Sequence, residues 1–281
     1  MLDTRLPQPN GSFRWAQEAP GPALVCLGLE PLADHMITTR IWALGAGENG
    51  DADHAWAEVA AALDGPVVRV HQVHGADFLI RRAGDAPPTD RPDADIIVSN
   101  DPAVAIAIQT ADCVPILIAD RRTGAVAAAH AGWRGLAEGV PRVTVEALVR
   151  EFGSRPGDLV AAAGPSIGAC CYEVGPEVRQ RFEAAGWPES TTSRWFFARA
   201  QPTTANPSMA GLRAGPRPGH WYFDSGRAAS DQLEAAGVAR NQILVAELCT
   251  ASHPVALCSY RRDGAGTGRI AAAIRARGDR R

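Results

Sequence analysis

The segment QTADCVPILIADRRTGAVAAAHAGWRG, residues 109–135, is the part of the chain that most constrains the fold. Two apolar runs flank a polar DRRTG turn, a pattern typical of a β-hairpin. If Arg121 and Arg122 form the centre of the turn, Cys113 lies directly opposite His130, with Cβ atoms about 5 Å apart. A slip of one residue would place the two side chains on opposite faces. The segment therefore predicts a strand pair that brings a thiol and an imidazole together.

On both sides of this hairpin, short apolar runs alternate with helical stretches. We predict strands at 24–27, 36–42, 67–70, 96–99, 104–108, 114–119, 125–129, 160–163, 243–247 and 255–260. We predict helices at 53–63, 136–153, 176–185 and 224–236. The Pro- and Gly-rich residues 1–23 are predicted to be irregular, and residues 24–281 to form a single catalytic α/β domain. Its central sheet should be largely antiparallel or mixed, with helices on its flanks.

Composition excludes several classes of function. The chain has 281 residues, a net charge of -3 and no lysine, so it lacks the basic footprint of a nucleic-acid-binding protein. Without lysine, neither a Schiff base nor a Walker A phosphate loop can form. No apolar run is long enough to span a membrane, and the first residues lack the features of a signal peptide. We therefore expect a cytoplasmic protein without membrane or nucleic-acid partners.

The six cysteines have irregular spacing and form no C-x-x-C motif. In a chain of this size we expect them to be reduced, with any functional ones binding metal or taking part in catalysis. We interpret Cys170 and Cys171 as packing residues.

Two motifs match known patterns but lack the context that those patterns need. GAGENG, residues 45–50, fits a dinucleotide fingerprint, yet the next strand does not end in an acidic residue, so we interpret it as a turn without a ligand. GPSIG, residues 164–168, fits a nucleophile elbow, and Asp224 or Asp231 followed by His253 gives the order of a triad. However, Pro165 restricts the backbone beside the serine, and no long helix follows. A serine hydrolase is therefore a minor alternative.

The sequence HQVHG, residues 71–75, supplies a third group for the hairpin. If the strand continues, His74 shares the presumed interior face of Val68 and Val70, while His71 points outward. His74, Cys113 and His130 would then form a Cys-His-His set with one open position, as in a catalytic zinc site. Alternatively, Cys113 is a nucleophile and His130 is its base.

Five segments, QVHG, TADCVPIL, AAAHAGWRG, GPSIGACCYEVG and SYRRDGAGTGR, resemble in this order the bacterial polyphenol oxidoreductase family. This laccase-domain, or multicopper laccase-like, family has been reassigned as purine nucleoside phosphorylases, and the resemblance runs from about Thr38 to Ile270. It implies a single α/β domain in which His74, Cys113 and His130 bind zinc. It also implies phosphorolysis of adenosine, inosine, guanosine and methylthioadenosine, with adenosine deamination as a side activity.

The resemblance also implies roles for residues outside this triple. Arg40 matches an arginine near the family's pocket and is assigned to catalysis, whereas Gln72, Tyr172 and Arg261 match motif residues that we assign to substrate binding. Arg40 and Arg261 could hold phosphate. The chain departs from the family after Arg40, where the loop TTRIWALGAGENG is shortened, and this leaves the substrate preference open.

Three further alternatives remain beside the phosphorylase and the serine hydrolase. One is a metal-free hydrolase or amidase that uses Cys113 and His130, for example on a cell-wall precursor. Another is a member that binds a ligand without catalysis. A copper-dependent polyphenol oxidase is less well supported, because multicopper sites need more than the seven histidines of this chain. We expect zinc as the metal, small-molecule nucleoside and phosphate as ligands, and a monomer or small homo-oligomer.

Overall fold

Short, mostly apolar runs build the strands of two six-stranded sheets and one three-stranded sheet. The computed structural model describes residues 6–45, 53–86, 90–212 and 215–278. The strands are β1 (Phe13–Gln17), β2 (Pro22–Cys26), β3 (Ala33–Thr38), β4 (Val67–Val68), β5 (Phe78–Arg81), β6 (Ile96–Ser99), β7 (Ala105–Thr110), β8 (Val114–Asp120), β9 (Val126–Ala131), β10 (Leu159–Ala163), β11 (Glu173–Val174), β12 (Phe196–Phe197), β13 (Trp221–Phe223), β14 (Ile243–Val245) and β15 (Ile270–Ala276).

Seven α-helices and four short 3-10 helices connect these strands in the described part of the chain. The α-helices are α1 (Asp53–Ala62), α2 (Trp133–Glu138), α3 (Val140–Phe152), α4 (Pro176–Ala184), α5 (Glu189–Thr192), α6 (Ser225–Ala235) and α7 (Tyr260–Asp263). The 3-10 helices are Arg40–Trp42, Pro156–Asp158, Arg240–Gln242 and Gly264–Gly266. None of the helices in the described ranges combines the length and the apolarity needed to cross a bilayer.

Both large sheets are mixed. The first has the strand order β1-β2-β3-β15-β7-β4, and the second has the order β14-β10-β8-β9-β6-β5. Three pairs are parallel, namely β4 with β7, β5 with β6 and β10 with β14, and the other pairs of these sheets are antiparallel. The small sheet, β11-β13-β12, is antiparallel.

The two large sheets pack face to face and share one apolar core. Ile106 and Ile274 of the first sheet meet Leu117 and Ala128 of the second sheet in this core. Neighbouring residues on the same strands point the other way, as the period of two requires. The space between the sheets is therefore an interior layer, and polar groups at its ends need partners.

Helices cover the two outer faces. Ala107 and Ala271 of the first sheet pack with Trp56 of α1. On the outer face of the second sheet, Ile116 belongs to a cluster with Leu148 of α3 and with residues of α2, α4 and α6. The result is a single mixed α/β domain of four layers, which confirms the predicted fold class and resolves its central sheet into two.

Several predictions of secondary structure are wrong. The strand predicted at 36–42 ends at Thr38, because Arg40–Trp42 forms a 3-10 helix, and the helix predicted at 136–153 is divided into α2 and α3 by the left-handed Gly139. Residues 1–23 are not irregular throughout, because β1 pairs with β2 as an antiparallel hairpin at the edge of the first sheet. Residues 255–260 form turns that lead into α7 instead of a strand. The turn predicted at GAGENG lies outside the described residues, except for Gly45.

The β8–β9 hairpin has a longer loop than expected. Val114 pairs with Ala131 and Pro115 with His130, so the register differs by two residues from the prediction. The Asp120 carboxylate accepts the N–H groups of Arg122 and Thr123, at 2.7 and 3.2 Å, and this closes a four-residue loop. Cys113 therefore does not lie directly opposite His130. Since a shift of two residues keeps the face, both side chains still point between the sheets.

Candidate functional site

The predicted zinc ligands come together at one end of the layer between the sheets. The donor atoms of His74, Cys113 and His130 all lie within 4.8 Å of one another. Cys113 directly precedes β8, and His130 is the fifth residue of β9. The rings of the two histidines meet edge to face, with centroids 4.8 Å apart. His130 is buried, Cys113 is half-buried and His74 is exposed.

His74 reaches the cluster by a different route from the one predicted. The strand β4 ends at Val68, so strand alternation does not place this side chain, and it is exposed instead of interior. His74 has a φ of 63°, in the left-handed region. The N–H groups of Val73 and Gly75, on either side of it, donate to one oxygen of Asp95 at 3.1 and 2.7 Å. A tight loop around a buried carboxylate therefore turns the imidazole toward Cys113.

Asp95 is the residue that the sequence analysis missed. It is fully buried, and its second oxygen lies 2.6 Å from His130 Nδ1. Burial raises the pKa of this carboxyl, but the hydrogen bond and charge of His130 and the N–H donors outweigh burial and lower it. Because Ile96 pairs with Ala129, the ladder places Asp95 beside His130. The signal was therefore the pairing of β6 with β9, which local patterns do not reveal.

The electrostatics of the cluster favour a thiolate. Burial raises the pKa of Cys113, but the charges and hydrogen bonds of His130 and His74 outweigh it and lower the pKa to about 6. For His130, burial lowers the pKa, and the thiolate and Asp95 together raise it to about 9. Because its Nδ1 faces Asp95, His130 presents Nε2 to the cluster. A soft thiolate with two imidazoles is a donor set that suits zinc.

Gly132, which has no side chain, leaves space for a bound group beside the cluster. A Cβ at this position would lie 3.0 Å from the sulfur of Cys113 and 3.1 Å from the ring of His74. Any larger residue would therefore press on two of the three donors. The backbone of Gly132 is extended, with a φ of -72°, so close approach and not backbone conformation explains the glycine.

A cavity of about 680 Å³ opens beside the cluster. Its lining consists of Val70, His71, Gln72, His74, Arg91, Gln109, Thr110, Ala111, Asp112, Cys113, His130, Trp133, Arg134, Tyr172, Tyr260, Arg261 and Arg269. The lining combines cationic side chains with aromatic rings. This composition suits a ligand that has both an anionic group and a flat ring.

Another part of the cavity wall contains Tyr172 and Arg261. The guanidinium of Arg261 lies 4.9 Å from the ring centre of Tyr172, and its Nη1 donates to the carbonyl of Glu173 at 2.6 Å. Burial raises the pKa of Tyr172 well above its usual value. The phenol therefore stays neutral and can donate a hydrogen bond to a ligand.

Asp112, next to Cys113, holds this wall in place. Its φ of 93° is a conformation that side chains rarely adopt. Its carboxylate accepts hydrogen bonds from the hydroxyl of Thr250 and the N–H of Arg261, both at 2.6 Å. Strain of this kind persists where the surroundings impose it, as at ligand sites.

The side chains of Gln72 and Arg40 are hydrogen-bonded to other parts of the protein. Both polar atoms of the Gln72 amide bond to the backbone of Gln109, each at 2.8 Å, so this side chain extends the sheet beside the cavity. Arg40 is not part of the cavity lining. Its guanidinium donates to the carbonyl of Pro254 and pairs with Asp263 at 3.1 Å, at the end of the helix that carries Arg261. The structure therefore does not bring Arg40 to the cluster.

The acidic residues and the histidine of the possible serine triad each have a different hydrogen-bond partner. Asp224 accepts the N–H of Arg227 as the cap of α6, and Asp231 accepts from the indole of Trp195 at 2.8 Å. His253 Nε2 faces the side-chain oxygen of Asn206 at 3.1 Å. This arrangement does not form a charge-relay system at GPSIG.

Comparisons with known proteins show which family and which solved structure the chain resembles. The family described as "Multi-copper polyphenol oxidoreductase laccase" matches residues 48–277. A Deinococcus radiodurans protein named "Purine nucleoside phosphorylase" is 34% identical over 274 residues, which cover 90% of this chain and 93% of the relative. A Bacteroides thetaiotaomicron protein with the same name is 35% identical over 180 residues, 64% of this chain and 60% of the relative. The crystal structure of YlmD from Geobacillus stearothermophilus is similar, with a TM-score of 0.74 and 29% identity, and the match covers 94% of this chain and 99% of that one.

Proposed function

Because this chain belongs to the multi-copper polyphenol oxidoreductase laccase family, whose relatives above carry the name purine nucleoside phosphorylase, we propose that it cleaves purine nucleosides with phosphate. The substrates are adenosine, inosine, guanosine and methylthioadenosine. The observation that carries the proposal is the cluster of His74, Cys113 and His130 at the edge of a cavity of about 680 Å³ that holds both arginines and aromatic rings.

His74, Cys113 and His130 would hold the zinc ion. When bound there, zinc supplies a Lewis acid that can polarise the substrate and lower the pKa of water, which also accounts for deamination of adenosine as a side activity. Asp95 keeps His130 in the tautomer that presents Nε2, and Gly132 leaves room beside the thiolate.

The cationic side chains of the cavity are suited to phosphate. Arg134, Arg261 and Arg269 line it, and a guanidinium can bind two phosphate oxygens at once. We assign phosphate binding to these arginines ahead of Arg40, since Arg40 is already paired with Asp263 outside the lining. A phosphate held there would lie close to the sugar of a nucleoside whose base occupies the aromatic part of the cavity.

The aromatic side chains Trp133, Tyr172 and Tyr260 are suited to the purine. The face of an aromatic ring can stack on any flat base, because stacking does not require a particular pattern of hydrogen bonds. These side chains would therefore accept several purines. The neutral phenol of Tyr172 can donate a hydrogen bond to a ring nitrogen or to a sugar oxygen. This combination of stacking and few directional contacts supports a broad substrate range.

The test is chromatography of the products formed from adenosine, inosine and methylthioadenosine, with and without phosphate. We expect free base and ribose 1-phosphate, or the methylthio sugar phosphate, only when phosphate is present. Cys113→Ala should abolish the products, whereas Cys26→Ser, at a buried thiol elsewhere, should retain them. Inosine from adenosine without any free base would instead identify a deaminase.

One observation favours a second candidate. Asp95 lies 2.6 Å from His130, whose other ring nitrogen faces Cys113, and this order resembles the base and nucleophile of a cysteine hydrolase, which would act on an amide without metal. Full activity on an amide after chelation of metal, together with alkylation of Cys113, would support the hydrolase and contradict the phosphorylase.

A further inference from the structure

Three buried cysteines meet at a place that the proposed reaction does not use. The sulfur atoms of Cys170, Cys171 and Cys249 lie within 4.8 Å of one another, and the structure shows no disulfide among them. None of the three residues is more than 3% exposed. Ile167 and Ala251 pack with these cysteines in a small apolar cluster, and the three sulfurs, from two distant segments, also form a possible set of metal donors.

Backbone donors point at these sulfurs. The N–H of Gly168 lies 3.4 Å from the sulfur of Cys249, and the N–H of Met209 lies 3.2 Å from that of Cys171. Such donors stabilise negative charge on sulfur. These two donors therefore favour negative charge on Cys249 and Cys171, and thiolate is the form of cysteine that binds metal.

An opening leads to the cluster from a second cavity. This cavity has a volume of about 620 Å³, and Cys170 and Cys249 are part of its lining. It is separate from the cavity beside His74, with which it shares no lining residue. An ion can therefore reach the sulfurs without passing the candidate active site.

We propose that Cys170, Cys171 and Cys249 bind one Cu(I) ion through three sulfurs. Among the residues that the structure describes, neither an imidazole nor a carboxylate joins this set. Thiolates bind both Cu(I) and zinc, but zinc usually takes four ligands in a structural site, so a set of three sulfurs favours Cu(I). On binding, the thiols release their protons to solvent, and the copper stays in the same oxidation state.

The bound ion would connect two segments of the wall behind the candidate active site. Tyr172 follows Cys171 and lines the first cavity. Thr250 follows Cys249 and donates to Asp112. The copper site is therefore structural, and it does not depend on whether the chain cleaves nucleosides.

The test measures Cu(I) uptake by reduced, metal-free protein from the coloured complex of Cu(I) with bicinchoninate. We use the Cys113→Ala background, which removes the thiolate of the other cluster. This protein should take up one equivalent of Cu(I), and adding Cys249→Ser or Cys170→Ser should abolish the uptake. Adding Cys26→Ser, at a buried thiol outside the cluster, should leave it unchanged.

X-ray absorption at the copper edge gives an independent readout. We expect sulfur as the only scatterer in the first shell of the bound ion, and circular dichroism should show that the variants remain folded. Absence of uptake in the Cys113→Ala background, equal uptake by the folded Cys249→Ser variant, or nitrogen in the first shell would overturn the proposal.

Discussion

At the scale of single residues, Asp95 organises the candidate metal centre. One of its oxygens faces His130, and the other holds the loop that presents His74. A single buried carboxylate therefore orients two imidazoles from separate segments. Partners of this kind orient metal ligands and raise their affinity.

We predict that Asp95→Asn lowers zinc affinity by about 10- to 100-fold, the range found for such partners. The amide cannot replace the charge beside His130, and only one of its two polar atoms can accept. Competition with a coloured zinc chelator measures the affinity.

The matched control is Asp93→Asn, which alters the exposed carboxylate that faces His71 at 2.7 Å. Its zinc affinity should equal that of the wild type. Equal affinities for both variants would show that Asp95 does not position the ligands.

Gly132 gives a second test at the residue scale. Gly132→Ala places a methyl group 3.0 Å from the sulfur of Cys113, while the extended backbone of this position accepts alanine. We expect weaker zinc binding with little change in the free energy of unfolding. Gly157→Ala, where a Cβ meets no atom within 4 Å, is the control for zinc titration and urea unfolding. Unchanged zinc affinity in Gly132→Ala would show that a methyl group at this position does not press on the sulfur of Cys113.

At the scale of elements, the hairpin illustrates what the sequence could predict. The two apolar runs located β8 and β9, but the loop length depended on hydrogen bonds of Asp120 and on the left-handed Gly124. A two-residue turn was therefore predicted where four residues form the loop. The shared face of Cys113 and His130 survived because the register error was an even number of residues.

We predict that Gly124→Ala destabilises the fold by about 1 kcal/mol, because its φ of 73° is unfavourable for a residue with a Cβ. The nearest atom to that Cβ would be 3.8 Å away, so crowding does not contribute. Urea unfolding measures the difference, with Gly11→Ala as the control in open space. Equal stability of the two variants would show that the loop adapts its backbone.

Local sequence patterns could not predict some other elements of the structure. The strand β15, IAAAIRA, lies between β3 and β7 in the first sheet, yet its alanines favour a helix when considered alone. Burial between two neighbouring strands overrides this preference. Similarly, the loop at His74 depends on Asp95, which lies in another strand pair. Contacts between distant segments therefore determined the parts of the site that the sequence analysis missed.

At the scale of the whole molecule, the layered architecture explains where chemistry is possible. The layer between the sheets is apolar along most of its length, and the candidate metal cluster lies where β8 begins and β9 ends. The same layer leaves few polar groups inside, and each needs a hydrogen-bond partner within the protein. His35 of β3 is one of these groups, and it connects the stability of the whole fold to pH.

His35 is 7% exposed and neutral in the folded protein. Its Nε2 accepts the N–H of Cys26 at 2.9 Å, and its Nδ1 lies 3.1 Å from the carbonyl of Ala33. Burial lowers the pKa of His35 below its usual 6.5, and this effect outweighs the opposing charge of Glu30. The unfolded chain therefore binds a proton at a higher pH than the folded protein does.

We predict that the free energy of unfolding falls as the pH decreases from about 6.5 toward the folded pKa of His35, by up to about 1.4 kcal/mol per pH unit for this group. Above pH 6.5 the contribution is fully present, because the imidazole is neutral in both states. Urea unfolding at intervals of about 0.5 pH units between pH 5 and 7.5 measures how steeply the free energy of unfolding changes with pH. His35→Gln should be less steep than His54→Gln, which alters an exposed imidazole of α1. Both variants keep the metal cluster, so its titration contributes equally to the two slopes and does not affect their difference. Equal slopes would show that protonation of His35 does not limit stability in acid.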